Sequence, residues 1–405
     1  MTRSFVLSLP LCSIFALAGL AACSGDDGAG EGSASGGDSS SSSEASTSAS
    51  SGGETTTSTS GATSSSSDAT TTDATTATTD ATTTTATTDA TTTTDATTTD
   101  ATTTDGTTTD DTTTGGVDLY PPDQDGPCTY AEIKATVKSA KTGNNVPVRA
   151  LYPTSGPYEA PFPVVTVAHG FQLPASQYDK YVERLASFCY VAINVDFPAG
   201  FIANHVKNAQ DIVAAIDWAA AEPTLKAIAD TTLVGATGHS LGGKVSVLAA
   251  VQDPRIKASI TLDPVDAATN CNQNDCPDVS KMLPLPIPLG FLGETLDGDG
   301  FMACAPAADN YQTFYTPASP PALEVTVLGA NHMSFLDDVS KCGITCAFCK
   351  AASADNAAVN ALSRAFVAAF YQRHLRGEVA YDAWLTGAEA QAAYVDTKQV
   401  TIKSK

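Results

Sequence analysis

The segment Gly238–Gly243, Gly-His-Ser-Leu-Gly-Gly, most narrows the folds open to this chain. It directly follows an apolar strand pattern at Thr232–Thr237 and directly precedes a helical pattern at Leu241–Val251. Its glycines permit a sharp strand-to-helix turn that pushes the hydroxyl of Ser240 into the space beyond the strand. The start of the helix beneath that turn favours developing negative charge. We therefore predict that Ser240 is a nucleophile.

The chain after Tyr130 alternates between apolar stretches and amphipathic ones. Near-continuous apolar strands separated by helices indicate a mostly parallel sheet covered on both faces. Eight strands are predicted, at Ala131–Ser139, Val146–Tyr152, Phe162–Ala168, Tyr190–Phe197, Thr232–Thr237, Ile256–Leu262, Ile287–Gly293 and Leu323–Leu328. The predicted helices are Gln177–Phe188, Asn208–Ala221, Leu241–Val251 and Ala357–Leu375. The pattern predicts one α/β domain over residues 128–405.

A serine nucleophile needs a base, and the base needs an acid to orient it. His332 follows the last predicted strand, where the chain order serine, acid, histidine places the base. Asp263 ends the strand before Pro264, 23 residues after Ser240, and is the favoured acid because the proline fixes that strand end. Asp297, after the next strand, is the competing acid, and Asp266 is expected beside the substrate.

Two backbone donors are expected to complete this site. Gly170 follows the third strand and lets the chain turn so that the Phe171 N–H faces the reacting carbonyl oxygen. The Leu241 N–H, next to the nucleophile, is the second predicted oxyanion donor. His239, inside the turn, is expected to be a packing residue and not a second base.

The motifs resemble those of α/β-hydrolases and, among these, the chlorophyllase family. The resemblance covers most of residues 128–405 and rests on Gly238–Lys244 (GHSLGGK), Leu262–Asp266 (LDPVD), Cys304-Ala305-Pro306 and His332–Asp338 (HMSFLDD). It implies the α/β-hydrolase fold, ester hydrolysis, and triad positions at Ser240, Asp263 and His332. Leu241 departs from the pattern, since plant members typically have Arg there. A looser similarity to secreted polyester hydrolases points to the same chemistry.

Eight cysteines remain once Cys12 and Cys23 are assigned to the N-terminal signal. An even number in an exported domain predicts up to four disulfides, whose pairing the sequence leaves open. The spacing Cys342-x3-Cys346-x2-Cys349 also permits an iron–sulfur or zinc interpretation, which we place behind disulfides. No metal or cofactor is expected.

The N-terminal third has the layout of an export signal and a tether. Residues 1–22 carry Arg3, an apolar run and small residues, which is typical of a secretory signal peptide. Leu20–Cys23 resembles a bacterial lipobox, which predicts lipidation of Cys23 and an outer-membrane location in the cell envelope. Residues 23–127 form a predicted disordered tether rich in Ser, Thr and Asp, with no apolar residue from Ser24 to Gly116 except alanine.

The net charge of −23 belongs mainly to that tether. Residues 24–127 hold 18 acids and no base, whereas residues 128–405 hold 26 acids and 20 bases, a net charge of −6. This distribution excludes the basic face of a nucleic-acid binder. The prediction is a monomeric, lipid-anchored serine esterase acting on a small or polymeric ester. The alternatives are a polyester or lipid hydrolase and a non-catalytic surface binding module on the same scaffold.

Overall fold

The folded domain starts earlier than residue 128. A computed structural model describes residues 119–200, 204–268, 271–300 and 303–405. The predicted signal peptide, Cys23 and most of the predicted tether lie outside the described residues. The Tyr381 hydroxyl donates to the Tyr120 carbonyl at 2.9 Å, and the Gly126 N–H donates to Ser187 Oγ at 2.9 Å. The last residues assigned to the tether therefore pack against the domain.

The domain is built on one mostly parallel sheet, as predicted. Its order is β1-β2-β4-β3-β5-β6-β7-β8-β9, with β4 through β8 parallel and β1, β2 and β9 antiparallel to their neighbours. The strands are β1 Thr129–Lys138, β2 Asn145–Ser155, β3 Phe162–Ala168, β4 Val191–Val195, β5 Ala229–Gly238, β6 Ile256–Leu262, β7 Leu289–Glu294, β8 Ala322–Val327 and β9 Val400–Ser404.

Helices cover both faces of this sheet, because its central strands are apolar on both sides. The α-helices are α1 Asp179–Ser187, α2 His205–Ala221, α3 Pro223–Lys226, α4 Leu241–Gln252, α5 Tyr311–Tyr315, α6 Asn356–His374, α7 Asp382–Leu385 and α8 Ala388–Ala390. One apolar core lies between the sheet and α1 with α6, and the other between the sheet and α2 with α4. Within the described residues, no helix combines the length and apolar composition that a membrane span requires.

Short helical turns occupy several of the loops. In the part of the chain that the structure describes, six are 3₁₀ turns, at Ala175–Tyr178, Val279–Met282, His332–Phe335, Val339–Lys341, Gly343–Phe348 and Val379–Tyr381. A π turn spans Gln391–Val395.

The sheet has one strand more than the eight predicted. Strand β9 pairs antiparallel with β8, and only Val400 of its five residues is buried. Its sequence, Val-Thr-Ile-Lys-Ser, lacks the apolar run that marks the central strands. An edge strand of this kind is held by backbone pairing to a distant segment. The periodicity of apolar residues in the sequence gives no sign of such pairing.

The parallel register brings the predicted site residues to one edge of the sheet. Ala168 of β3 lies opposite Gly238 of β5, and Leu262 of β6 lies opposite Leu292 of β7. Ser240 and Asp263 follow the ends of β5 and β6, and His332 follows β8. Ligand sites of open α/β sheets lie at this carboxyl edge.

The prediction of disulfides is confirmed, with four in the described part of the chain. They join Cys128 to Cys189, Cys271 to Cys276, Cys304 to Cys349 and Cys342 to Cys346. The last two bonds engage the sulfurs of the predicted Cys342-x3-Cys346-x2-Cys349 cluster. Those sulfurs are therefore not thiolate ligands in this state.

Candidate active site

Ser240 sits at the apex of a strained turn. Its backbone has φ 56° and ψ −121°, and it caps the N-terminus of α4. A side chain at Gly242 would place Cβ 2.2 Å from the Ala168 carbonyl oxygen, and one at Gly238 would place it 2.5 Å from Gly242. Glycine is therefore required at both positions, and the strained, partly exposed serine is presented at the carboxyl edge.

Ser240, His332 and Asp263 form a continuous hydrogen-bond chain. The Ser240 Oγ lies 2.8 Å from His332 Nε2, and His332 Nδ1 lies 2.6 Å from Asp263 Oδ2. His332 is 3% exposed and Asp263 is fully buried. Because the Asp263 carboxylate only accepts, Nδ1 carries the proton and Nε2 is left to accept from the serine hydroxyl. The structure thus brings the three predicted residues together in the order that serine activation requires.

Asp297, the competing acid, is hydrogen-bonded to the main chain of the histidine loop. Its Oδ2 accepts the backbone N–H of His332 at 2.9 Å, and its Oδ1 accepts the N–H of Lys350 at 2.7 Å. Asp297 is 1% exposed and follows β7, the strand beside β8. It therefore fixes the main chain of the histidine loop and leaves the ring to Asp263.

Asp266 is buried and bonded to protein groups, which does not fit the substrate-side role that we predicted. It is 4% exposed and forms an ion pair with the fully buried Lys244 at 3.1 Å. Its two carboxylate oxygens also accept the N–H groups of Val279 and Ser280 at 2.9 Å each. A buried carboxylate needs such partners, and here they anchor the loop after Asp263 to α4.

The predicted oxyanion donors follow paired strand ends. Because Ala168 and Gly238 lie opposite each other, Phe171 and Leu241 each come three residues beyond the same pair. Leu241 is the first residue of α4, where a helix N–H has no partner inside the helix. Phe171 is 38% exposed, so its aromatic side chain is partly open to solvent.

Tyr178 and His239 form a second buried chain of hydrogen bonds. Tyr178 is not among the predicted site residues. The Tyr178 hydroxyl lies 2.8 Å from His239 Nδ1 and accepts the Gly170 N–H at 3.2 Å. His239 Nε2 lies 2.8 Å from the carbonyl oxygen of His332. His239 thus packs within the turn, as predicted, and also makes specific hydrogen bonds. No local pattern marks Tyr178, since its partners are 8 and 61 residues away.

Burial raises the pKa of two carboxyl groups at the carboxyl edge of the sheet. It raises the pKa of Asp263, while the hydrogen bond and charge of His332 oppose that rise. It also raises the pKa of Glu294 to about 7, with the negative charge of Asp263 adding to the rise. Glu294 accepts the backbone N–H of Asp297 at 2.8 Å, so it supports the segment that holds the histidine loop.

One group of side chains in the described residues has the spacing of a metal site. It consists of Asp297, Cys304 and Cys349, whose ligand atoms lie within 4.8 Å of one another. The two cysteines are joined to each other, and both oxygens of Asp297 accept backbone N–H groups. These three residues therefore fit a structural brace better than a metal site.

This arrangement suits acyl transfer to serine. It contains a hydroxyl within hydrogen-bond distance of an imidazole nitrogen and a carboxylate bonded to the other ring nitrogen, with two predicted N–H donors that follow the paired ends of β3 and β5. The structure brings Ser240, His332 and Asp263 together, and the catalytic roles of these residues and of the Phe171 and Leu241 N–H groups stay predictions.

Comparison with known proteins identifies relatives of the domain. A sequence model of the Chlorophyllase family matches residues 124–401. Chlorophyllase-2 of Arabidopsis thaliana is 28% identical over 211 residues, covering 45% of this chain and 63% of the plant protein. Chlorophyllase-1 of the same plant is 29% identical over 228 residues, covering 50% of this chain and 67% of its own length.

A bacterial hydrolase is also similar. Bis(hydroxyethyl) terephthalate hydrolase of Streptomyces coelicolor is 27% identical over 185 residues, covering 45% of this chain and 54% of that protein. The chain thus spans roughly half to two thirds of the length of these curated relatives.

Proposed function

This chain belongs to the chlorophyllase family of α/β-hydrolases, and we propose that it is a serine carboxylic-ester hydrolase. One observation carries the proposal, which is the hydrogen-bond chain from Ser240 Oγ through the His332 ring to Asp263. In the proposed roles, Ser240 is the nucleophile, His332 the base and Asp263 the orienting acid.

Acylation begins when Ser240 Oγ attacks the ester carbonyl carbon. His332 Nε2 takes the hydroxyl proton, and the buried Asp263 carboxylate stabilises the imidazolium that forms. The carbonyl oxygen becomes an oxyanion held by the N–H groups of Phe171 and Leu241. The carbon–oxygen bond to the alcohol then breaks, and the alcohol leaves with the proton from His332.

Deacylation uses the same groups in reverse. Water enters beside His332, which takes one of its protons while the oxygen attacks the acyl-serine carbonyl carbon. A second oxyanion forms at the same donors. When the bond to Ser240 Oγ breaks, the serine regains its proton from His332 and the carboxylic acid is released.

The relatives suggest two candidate ester classes. The plant proteins are named for chlorophyll, and the Streptomyces protein is named for bis(hydroxyethyl) terephthalate. Phe171 is 38% exposed and belongs to the loop proposed to hold the oxyanion, so its aromatic ring favours an ester with an apolar or aromatic group near its carbonyl. An aromatic diester hydrolase is therefore the second candidate function.

The proposal is tested by the hydrolysis of p-nitrophenyl butyrate by the full chain. Wild-type protein should release p-nitrophenol, and Ser240→Ala should reduce turnover by about 10³-fold or more. Ser246→Ala is the matched control, because Ser246 lies in α4 and donates only to backbone carbonyls, at 2.7 Å and 2.9 Å. Equal rates for wild type and Ser240→Ala would end the enzyme assignment and favour a binding module.

A second assay compares candidate substrates. Chlorophyll, bis(hydroxyethyl) terephthalate and p-nitrophenyl butyrate are supplied to the wild-type chain, and kcat/KM is measured for each. A clear preference for the terephthalate ester over chlorophyll would favour the aromatic diester hydrolase, and the reverse order would favour a chlorophyllase.

The proposed location is the outer membrane of a bacterial cell envelope. The lipobox-like sequence ending at Cys23 and the polar residues after it support a lipid anchor and a tether, and the monomeric state is proposed with them. Mass spectrometry of the mature protein should find acyl chains on Cys23 that are absent from Cys23→Ser. A free N-terminus on another residue would contradict the anchor, and light scattering of the detergent-solubilised protein tests the monomer.

A further inference from the structure

A buried path of hydrogen bonds connects the predicted oxyanion loop with the main chain of the predicted base. The His332 carbonyl only accepts, so His239 Nε2 carries the proton that bridges them at 2.8 Å. His239 Nδ1 is then an acceptor, and the Tyr178 hydroxyl donates to it at 2.8 Å. The same hydroxyl accepts the Gly170 N–H at 3.2 Å. Every donor in this path faces an acceptor.

The two side chains are suited to a fixed role because neither changes charge near neutral pH. Tyr178 and His239 are both fully buried. Burial, with the adjacent His332 adding to it, holds the pKa of His239 well below its usual range. Burial also holds the pKa of Tyr178 well above the ordinary tyrosine value. His239 therefore stays neutral and Tyr178 keeps its proton, so the direction of the path is constant.

At its first end, the path holds the peptide that precedes Gly170, and a separate hydrogen bond to the His169 ring holds the next peptide, which precedes Phe171. The Gly170 N–H is held by Tyr178, and the Gly170 carbonyl oxygen lies 2.8 Å from His169 Nδ1. That carbonyl shares a planar peptide with the Phe171 N–H, so its orientation sets the direction of the predicted oxyanion donor. A Cβ at Gly170 would lie 3.1 Å from His239 Nδ1 and 3.2 Å from Tyr178 Oη, which shows how closely the path packs under the loop.

At its second end, the path completes a clamp on His332. The His332 N–H is accepted by Asp297 and its carbonyl oxygen by His239, so both polar groups of its backbone end on buried side chains. The His239 and His332 rings also pack together, with centroids 4.6 Å apart. A displacement of the loop before Phe171 would therefore be passed to the residue that carries the imidazole.

We propose that Tyr178 and His239 are positioning residues that keep the oxyanion donor loop and the catalytic base in register with each other. The proposal rests on the ester hydrolase assignment. Neither residue touches the reacting atoms, so their contribution belongs to the transition state, where the distances to the oxyanion and the leaving alcohol both matter. Their loss should therefore lower kcat and leave KM nearly unchanged.

The test is Tyr178→Phe, which removes one oxygen atom and keeps the ring. The kcat for p-nitrophenyl butyrate should fall about 10- to 100-fold, which does not exceed the fall expected when a whole oxyanion donor is removed. KM should stay within about twofold of the wild-type value. Tyr181→Phe is the matched control, because Tyr181 is as fully buried as Tyr178 and follows it by three residues in the chain. Its hydroxyl donates to the Phe335 carbonyl at 2.9 Å and is outside the path, so kcat should stay within about twofold.

A second variant, His239→Phe, removes both ring nitrogens and keeps an aromatic ring in the turn. It should also lower kcat, and the double variant should lose less than the product of the two single losses, because both residues act along one path. Thermal unfolding of each variant shows that the compared proteins are folded.

Equal kcat values for Tyr178→Phe and Tyr181→Phe, or wild-type kcat for His239→Phe, would overturn the proposal. If Tyr178→Phe does not fold, the result for His239→Phe decides alone. These outcomes are separate from failure of the ester hydrolase assignment, which would appear as a wild-type rate equal to that of Ser240→Ala.

Discussion

Asp263→Asn tests whether Asp263 or Asp297 is the acid that orients His332. It is expected to lower kcat without unfolding the domain. Asp263 has φ 42°, a backbone region that Asn tolerates as well as Asp. Its Oδ1 has no hydrogen-bond partner in the described structure. The substitution therefore changes only the bond that His332 Nδ1 donates to Oδ2. The variant should therefore fold with wild-type stability to within about 1 kcal/mol.

The expected loss of kcat follows from the tautomer of the His332 ring. An Asn amide placed at 2.6 Å from Nδ1 presents an N–H to it, which moves the ring proton to Nε2 and blocks acceptance of the Ser240 proton. Loss of the correct tautomer in a serine triad costs about 10⁴-fold in kcat, which is roughly 5 kcal/mol of transition-state stabilisation.

Initial rates with p-nitrophenyl butyrate measure this loss, and Asp297→Asn is the comparison. That variant keeps one acceptor oxygen for a backbone N–H and leaves the imidazole bonded to Asp263, so we expect a loss of about 10-fold or less. The reasoning fails if Asp263→Asn keeps near-wild-type turnover while Asp297→Asn loses it, because Asp297 would then be the acid.

Two further predictions concern buried charges. Lys244→Met should lower the free energy of unfolding, measured in guanidinium, by about 3–5 kcal/mol, because it leaves Asp266 buried without its cation. Adding Asp266→Asn should recover part of that loss. A change below about 1 kcal/mol for Lys244→Met would contradict the pairing. Glu294 has a pKa of about 7 against an ordinary 4.5, so the folded state holds its proton more tightly and stability should fall as pH rises between these values. Glu294→Gln should remove up to roughly 3 kcal/mol of that fall in urea unfolding, and a difference from wild type that is constant over this pH range would refute it.

The sequence predicts the parts of this protein that depend on local patterns. Ser240 stands between glycines that only a tight strand-to-helix turn requires, and the alternation of apolar strands and helices predicts the parallel sheet. Once that sheet is assumed, residues that follow successive strands meet at one edge, which is why Asp263 and His332 can be placed beside Ser240.

The remaining features depend on distances that the sequence does not contain. Asp263 and Asp297 follow neighbouring strands, and only the loop geometry decides that one reaches the ring and the other the backbone of His332. Asp266 has the spacing of a substrate-side residue, but it pairs with a lysine 22 residues earlier. Tyr178 carries no motif, and its role follows from the folded chain alone.

Covalent trapping of Ser240 shows directly whether this serine is the nucleophile. The full chain is incubated with an alkyl fluorophosphonate, and intact mass and peptide mapping locate the adduct while ester hydrolysis is followed in parallel. We expect one phosphonyl group per chain, on Ser240, with activity lost in proportion and no adduct on Ser240→Ala. Loss of activity with the adduct on another residue, or full activity with Ser240 modified, would contradict it.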